Sequence, residues 1–318
     1  MDDDENIVII PYADFNRWKE IMKIIAEFGW FYAEEDYDRF LKGFGEKNFN
    51  GLIAVDKKSD KILGSVVIGF FESIENSPAL VSLGLYIVLP ELRGKGIGTK
   101  LFKEVINDPR FVNVNLGLNG ASYMSKKYAK IFGYDKFPNW QVCKSKIKIC
   151  DINLNALQND SDIDIVNVND VDYQKLIEYD TNIQGGIRRD KFLKAFLDTK
   201  TNFAKIAVNK NGEIVGFGNI RTGVNNQIGL GPLYSNSKSI AETLLKQILE
   251  SIENLGSYDC FRIFPPNINK DADEIFSRLC NGKVDVSGGN SFPQFTKEII
   301  QADTSKIFSI TEYGLNAA

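Results

Sequence analysis

Residues 88–106, VLPELRGKGIGTKLFKEVI, run from the end of an apolar strand through a glycine-rich loop into an amphipathic helix. The loop contains three alternate glycines, Gly94, Gly96 and Gly98. Glycine adopts unusual φ values and lets a ligand come close to the backbone. The first turn of a helix also leaves several N–H groups unpaired, and the helix dipole adds positive potential there. The stretch therefore predicts a cradle for a phosphate or diphosphate.

Two well-known cradles do not fit this loop. A P-loop requires Gly-Lys followed by Ser or Thr, whereas Gly98 is followed by Thr99 and Lys100. The dinucleotide pattern G-x-G-x-x-G, started at Gly94, would need a glycine at Thr99, and the loop also comes late in an α+β order. The loop therefore indicates a different class of phosphate-bearing ligand.

The bulk composition narrows the classes of protein further. A length of 318 residues favours two domains, and a net charge of −4 argues against nucleic-acid binding. The acidic N-terminus, MDDDEN, does not resemble a secretory signal, and no apolar run reaches the length of a membrane span. We therefore expect a cytoplasmic protein with no membrane partner. Its oligomeric state does not follow from the sequence.

The chain contains no histidine and four cysteines without a Cys-x-x-Cys spacing. Ser-His and Cys-His nucleophile pairs are therefore excluded, and no zinc site or other metal site is expected.

The hydrophobic pattern predicts the same element order, β-α-α-β-β-β-α-β-α-β, in both halves. The polar stretch DINLNALQNDSDID separates the halves, with the linker at about residues 150–162. We therefore predict an α+β protein with one domain over residues 1–150 and a second over residues 151–318.

Arg93, Gly96 and Gly98 match the pattern Arg/Gln-x-x-Gly-x-Gly/Ala, with Pro90 three residues before it. With the element order around it, residues 5–149 resemble the GNAT superfamily of N-acetyltransferases. The second half looks like the degenerate GNAT-like C-terminal domain of tandem members. The resemblance implies two tandem GNAT-like domains, each a mixed, mostly antiparallel sheet flanked by helices.

The resemblance also implies an acetyl-CoA site. It places the diphosphate on the loop, the pantetheine beside the fourth strand, which such enzymes open with a bulge, and an asparagine at the end of the fifth strand. The residues so implied are Tyr86, Ile87, Val88, Arg93, Gly94, Lys95, Gly96, Ile97, Gly98, Thr99 and Asn119.

In this superfamily an amine attacks the thioester directly, and a tyrosine usually protonates the leaving thiolate. Tyr128 lies five residues before Gly133, one more than the usual spacing, and Tyr123 is the alternative. The fourth strand offers no carboxylate as a general base, only Ser82. Water relayed to bulk solvent, or a group from the first two helices, are the other possible bases.

The loop between the first two helices normally walls the acceptor pocket in this superfamily. Here it carries Trp30, Tyr32, Glu34 and Glu35, and aromatic side chains beside carboxylates suit a cationic amine. The same acids could instead cap a helix and the aromatics could be core. We therefore expect a small-molecule or peptide amine as the acceptor.

The second half keeps no Arg-x-x-Gly-x-Gly, and Pro232 removes a backbone donor from the equivalent loop. We therefore predict a single acetyl-CoA per chain, and a second domain that packs on the first and helps to shape the acceptor pocket. Arg188, Arg189 and Arg221 could face an acidic ligand or the first domain. The alternatives to an enzyme are a non-catalytic acyl-CoA sensor and a structural scaffold without CoA affinity.

Overall fold

The computed structural model describes residues 6–12, 15–198 and 201–316. Residues 1–5 of the acidic N-terminus lie outside these ranges. In the first half the elements are β1 (Ile7–Pro11), α1 (Phe15–Glu27), α2 (Asp36–Phe44), β2 (Phe49–Asp56), β3 (Ile62–Phe71), β4 (Leu80–Val88), α3 (Ile97–Val105), β5 (Asn115–Ala121), α4 (Ser122–Phe132), β6 (Val142–Cys143) and β7 (Ser145–Lys148).

The second half repeats this order. Its elements are β8 (Ile163–Val166), α5 (Tyr173–Ile183), α6 (Asp190–Leu197), β9 (Asn202–Asn209), β10 (Ile214–Gly223), β11 (Gln227–Ser235), α7 (Lys238–Glu250), β12 (Cys260–Ile263), α8 (Lys270–Leu279), β13 (Asn290–Phe295) and β14 (Ile307–Ser309). Apart from the split of the predicted closing strand and the extra strand β14, the predicted order is present in both halves.

The strands form two mixed, mostly antiparallel sheets. The first has the order β1-β2-β3-β4-β5-β13-β6, and the second has the order β7-β12-β11-β10-β9-β8, with β14 paired to β11. In each sheet a parallel pair, β4 with β5 and β11 with β12, interrupts the antiparallel ladder. The predicted α+β fold with two similar, helix-flanked sheets is confirmed.

The two sheets exchange strands. The last strand of the order predicted for the first half divides at Lys144, so that β6 joins the first sheet and β7 joins the second. In return, β13 from the second half lies between β5 and β6 in the first sheet. A cut at residue 150 would therefore separate β7 and β13 from the strands with which they pair. The division of the chain into domains 1–150 and 151–318 remains a prediction.

An aromatic core joins the halves. Helix α2 packs on α6, where the ring of Phe44 lies 5.1 Å from that of Phe192, and Phe40 lies 5.7 Å from Phe196. Gly43 allows this close packing, since a Cβ atom there would lie 2.9 Å from the Cα of Phe192. The second domain thus packs on the first through a continuous apolar interface, as the sequence predicted.

Candidate functional site

The site begins where β4 leaves its neighbour. Strand β4 pairs with β5 only from Leu80 to Leu83, so the two strands diverge beyond that point. On its other side the register with β3 shifts between Ser65 and Val67, and Leu85 adopts a φ of +49°. The predicted bulge is therefore present in β4. It interrupts the ladder with β3 at Leu85 and Tyr86, and beyond Leu83 a cleft opens between β4 and β5.

The glycine loop closes one end of this cleft. Gly94 and Gly96 have φ values of +84° and +88°, a region that residues with a side chain rarely adopt. Gly98 is needed for space, because a Cβ atom there would lie 2.3 Å from the hydroxyl oxygen of Tyr86. Arg93 holds the loop to β4 by donating from Nε to the carbonyl oxygen of Val88 at 3.1 Å.

Helix α3 starts directly from this loop. Its N-cap residue is Gly96, and no side chain caps the helix there. The N–H groups of the first turn therefore point toward the loop without the capping oxygen that Ser, Thr or Asp would supply. This arrangement fits an anionic group such as a diphosphate.

The cleft between the loop and the sheet is a cavity of about 430 Å³, a volume typical of small-molecule sites. Of the predicted cofactor residues, only Lys95 does not line it. The predicted residues that line the cavity are Trp30, Tyr32, Tyr86, Ile87, Val88, Arg93, Gly94, Gly96, Ile97, Gly98, Thr99, Asn119, Tyr123 and Tyr128.

Both candidate tyrosines line the cavity, but their surroundings differ. Tyr128 is 7% exposed and packs near the rings of Tyr86 and Phe102, and burial raises its pKa well above 10. Tyr123 is 75% exposed. The extra residue in the Tyr128 spacing therefore does not turn this side chain away from the cavity.

Ser82 has a structural contact rather than an open position. It is 1% exposed, does not line the cavity, and its hydroxyl donates to the carbonyl oxygen of Asn316 at 2.8 Å. A hydroxyl committed to a buried carbonyl does not fit the base role considered for it. Strand β4 contains no Asp or Glu that could serve as the base instead.

The C-terminal segment, residues 311–316, forms a wall of the cavity that the sequence did not predict. Tyr313 and Gly314 line the cavity, and Asn119 donates from its side-chain nitrogen to the carbonyl oxygen of Tyr313 at 3.1 Å. Gly314 lies so close to β4 that a Cβ atom on Gly84 would come within 2.5 Å of its carbonyl oxygen. A glycine inside a strand can mark such a close approach, and Gly84 was the available signal.

The loop between α1 and α2 forms another wall. Trp30 and Tyr32 line the cavity as predicted, whereas Glu34 and Glu35 are exposed and do not line it. The two glutamates therefore do not give the cavity the negative charge that we expected. The buried acid of this segment is instead Asp36, at 0% exposure.

Asp36 joins the two halves. Its carboxylate accepts from Arg221 at 2.6 Å, from Arg39 at 2.7 Å and from the N–H of Ala33 at 2.8 Å. Burial alone would raise the pKa of Asp36, but the charges of Arg221 and Arg39 outweigh it and hold that pKa below 3.8. Arg221 is 2% exposed and does not line the cavity, so it faces the first domain rather than an acceptor.

The other two predicted arginines are also paired. Arg189 is buried against Asp180 at 2.6 Å and donates to the side-chain oxygen of Asn316 at 3.0 Å. Arg188 pairs with Asp190 at 2.9 Å and with Glu75. None of the three arginines lines the cavity, so a direct contact with the acceptor does not fit their placement.

Over residues 6–12, 15–198 and 201–316, no group of three or more acidic or cysteine side chains is placed to hold a metal ion. Within the same ranges no helix combines the length and apolar character that a membrane span requires.

Comparison with known proteins gives matches to both halves of the chain. Residues 18–115 match the acetyltransferase (GNAT) family, and residues 176–278 match an acetyltransferase (GNAT) domain. Together these matches cover more than half of the chain.

Similar proteins extend over most of the chain. A protein of Caenorhabditis elegans described as uncharacterized is 22% identical over 240 residues, which is 74% of each chain. The crystal structure of a putative acetyltransferase from Pyrococcus horikoshii has a TM-score of 0.70 at 19% identity, over 98% of this chain and 96% of that one. A tandem GNAT protein from the clavulanic acid biosynthesis pathway has a TM-score of 0.64 at 12% identity, over 91% and 97%. At these identities the structural likeness establishes the fold.

Proposed function

Because the chain belongs to the GNAT superfamily as a tandem member with two GNAT domains, we propose that it moves an acetyl group from acetyl-CoA to a primary amine of a small molecule or peptide. Family and fold support acyl transfer in general. The proposal of acetyl transfer from acetyl-CoA to an amine rests on one observation, the cavity that joins the glycine loop, the bulged part of β4 and Tyr128.

The chain's own groups suit acetyl-CoA. The uncapped N-terminus of α3 and the glycine loop would hold the diphosphate, and the unpaired edge of β4 over residues 84–88 would hold the extended pantetheine. When bound there, acetyl-CoA supplies a thioester whose carbonyl group an amine can attack directly. An N–H of the bulged strand would face that carbonyl oxygen and stabilise negative charge on it.

Tyr128 supplies a protonated phenol inside the cavity. Since burial raises its pKa well above 10, the phenol keeps its proton at neutral pH. That pKa exceeds the value of about 8.5 for an ordinary thiol, so the phenol is better suited to donate a hydrogen bond to the leaving sulfur than to transfer its proton completely. Any proton that it gives up must be replaced from the amine nitrogen or from water.

Water is the proposed acceptor of the proton that the incoming amine loses. The described residues that line the cavity include no Asp or Glu, and Ser82 is bonded to the C-terminal segment. A chain of water to bulk solvent meets the need without a dedicated side-chain base.

The second domain is proposed not to bind a second acetyl-CoA. There, β11 pairs with β12 only from Gln227 to Gly229, and further along β11 Leu233 and Tyr234 pair with the chain's own strand β14. The N-terminus of α7 is also capped, because the Ser237 side chain accepts from the N–H of Ile240. The two features that suit acetyl-CoA in the first domain are therefore already satisfied within the second.

The proposal is tested by binding and by turnover. Isothermal titration should give one acetyl-CoA per chain, and acetyl-CoA should raise the melting temperature, because it binds only the folded state. Gly96→Glu should abolish both effects by adding a carboxylate and a side chain at a φ of +88°. Gly212→Glu is the matched control, since Gly212 also has a positive φ, +76°, and open space around it.

Turnover is followed as free thiol released from acetyl-CoA with a panel of amines. Release above the rate of hydrolysis with at least one amine supports the transferase. Binding without release for every amine would favour the sensor. A stoichiometry of two would contradict the single-site proposal, and equal acetyl-CoA binding by Gly96→Glu would refute the placement of the cofactor.

A further inference from the structure

The charged residues that line the proposed transferase cavity are all positive. These residues are Arg93, Lys127 and Lys144, and the described lining includes no carboxylate. Arg93 belongs to the glycine loop, and Lys127 is an exposed residue of α4. Lys144 is different, because it is half-buried and contacts the C-terminal segment, with its Nζ 5.6 Å from the ring centre of Tyr313.

Lys144 is presented from a fixed piece of backbone. It lies at the crossover between the two sheets, between β6, which pairs with β13, and β7, which pairs with β12. Its own N–H donates to the carbonyl oxygen of Gly289 at 3.0 Å. Strand pairing on both sides leaves the backbone little freedom to carry this side chain out of the cavity.

No carboxylate of the described residues pairs with Lys144. By contrast, Lys146, two residues further along, pairs with Asp285 at 3.2 Å. The charged neighbour of Lys144 is another cation, Arg262. Its Nη2 donates to the carbonyl oxygen of Gly29 and Asp285 acts on its charge, while its Nε is buried with no hydrogen-bond partner among the described residues. Burial is the main cause that lowers the pKa of Lys144 below 10.5, and the positive charge of Arg262 lowers it further.

A half-buried Lys144 with no carboxylate partner and a second cation beside it destabilises the fold, since it loses hydration and is repelled by Arg262. Such an arrangement is typical of a site at which a ligand supplies the missing charge. The diphosphate of acetyl-CoA is proposed to bind elsewhere, at the glycine loop and the start of α3.

We propose that the acceptor is an amine that also carries a carboxylate, such as an amino acid, and that Lys144 binds this carboxylate. The proposal rests on the proposed transferase function and adds the class of acceptor. An ammonium group donates charge-assisted hydrogen bonds to a carboxylate, and Lys144 has all three Nζ protons available for this purpose. Trp30, Tyr32 and Tyr313 would then pack against the side chain of the acceptor.

The first test compares alanine, leucine, phenylalanine and glutamate with their carboxamides as acceptors. The carboxamides keep the amine and the side chain but lose the negative charge. The proposal predicts a kcat/KM at least about tenfold higher for the acids, mainly through KM. Lys144→Met should remove this preference and leave the affinity for acetyl-CoA unchanged, whereas Lys146→Met should leave both unchanged.

A second readout does not depend on turnover. Titration of the N-acetyl forms of the same amino acids into the protein with bound coenzyme A should give binding that weakens at least about tenfold in Lys144→Met. Equal use of acids and carboxamides, or a preference that survives in Lys144→Met and is lost in Lys127→Met, would overturn the assignment. Transfer to neutral amines alone would overturn it and leave the transferase standing, while acetyl-CoA binding with no transfer to any amine would refute both.

Discussion

Replacement of Asp36 by asparagine is the sharpest test of how the two domains are joined. Asp36 is fully buried, and its carboxylate is shared between Arg39 of its own helix and Arg221 of strand β10. Asparagine keeps the size and can still accept from the N–H of Ala33, but it removes the negative charge. The change therefore leaves two guanidinium groups buried, with Glu312 as the nearby carboxylate of Arg221.

The expected cost follows from the burial of all three groups. Arg39 and Arg221 are 1% and 2% exposed, so water cannot replace the lost partner. Breaking a buried ion pair from one side costs about 3–5 kcal/mol. For domains of this size, about 2–4 °C of melting temperature per kcal/mol gives a loss of about 6–20 °C.

Urea unfolding at pH 7, followed by tryptophan fluorescence, measures the free energy of unfolding. The matched control is Asp60→Asn, because Asp60 also pairs with an arginine at 2.6 Å but has a side chain that is 72% exposed. That variant should lose less than about 1 kcal/mol. A double-mutant cycle with Arg221→Met should show coupling of about 1–3 kcal/mol between Asp36 and Arg221. A loss from Asp36→Asn no larger than that of the control would refute the reasoning.

The pH dependence of the same difference has a defined sign. The pKa of Asp36 is lower in the folded protein than its ordinary 3.8, so its stabilisation is complete above the unfolded value and is lost as the pH falls through the folded one. The advantage of the wild type over Asp36→Asn should therefore be constant from about pH 5 to 7 and shrink below about pH 4. An advantage that grows toward low pH would show that the shift has the opposite sign.

Two further predictions concern catalysis and the acceptor wall. Tyr128→Phe should lower kcat about 10²-fold with an unchanged Kd for acetyl-CoA, whereas the exposed Tyr123→Phe should have little effect; the reverse order in steady-state assays would transfer the role to Tyr123. Gly229→Ala should raise the acceptor KM and leave the acetyl-CoA Kd unchanged, because its Cβ atom would lie 2.3 Å from the ring of Phe31 in the loop that walls the cavity. An unchanged KM in that variant would mean that this loop does not contact the acceptor.

The donor side of the site could be predicted because its signals are local. The three glycines, the arginine and the helix start all lie within residues 88–106, and each is required by backbone geometry or by packing on β4. The position of β4 followed from its apolar run, and its bulge came from the resemblance. A compact sequence pattern therefore contained most of the proposed cofactor site.

The proposed acceptor side could not be predicted in the same way. Its wall includes Tyr313 and Gly314, which are more than 190 residues from Asn119 along the chain, and Lys144, which sits where a single predicted strand divides between two sheets. Apolar alternation identifies a strand but not its partner, so the exchange of β7 and β13 left no trace in the periodicity. The role of Asp36 likewise follows only from its contact with Arg221, since in the sequence Asp36 looks like an ordinary surface charge.

The exchange of strands explains why the proposed acceptor site needs both domains. If each half closed its own sheet, β6 and β7 would form one strand, and Lys144 would lie inside that strand rather than at a crossover. The division at Lys144 instead places it between two ladders and beside the C-terminal segment, which itself reaches β4 from the second domain. The first domain thus contributes the proposed donor site from its own sequence, whereas the proposed acceptor wall is complete only when both halves are assembled. Changes that loosen the contact between the domains should therefore weaken binding of the acceptor before they weaken binding of acetyl-CoA.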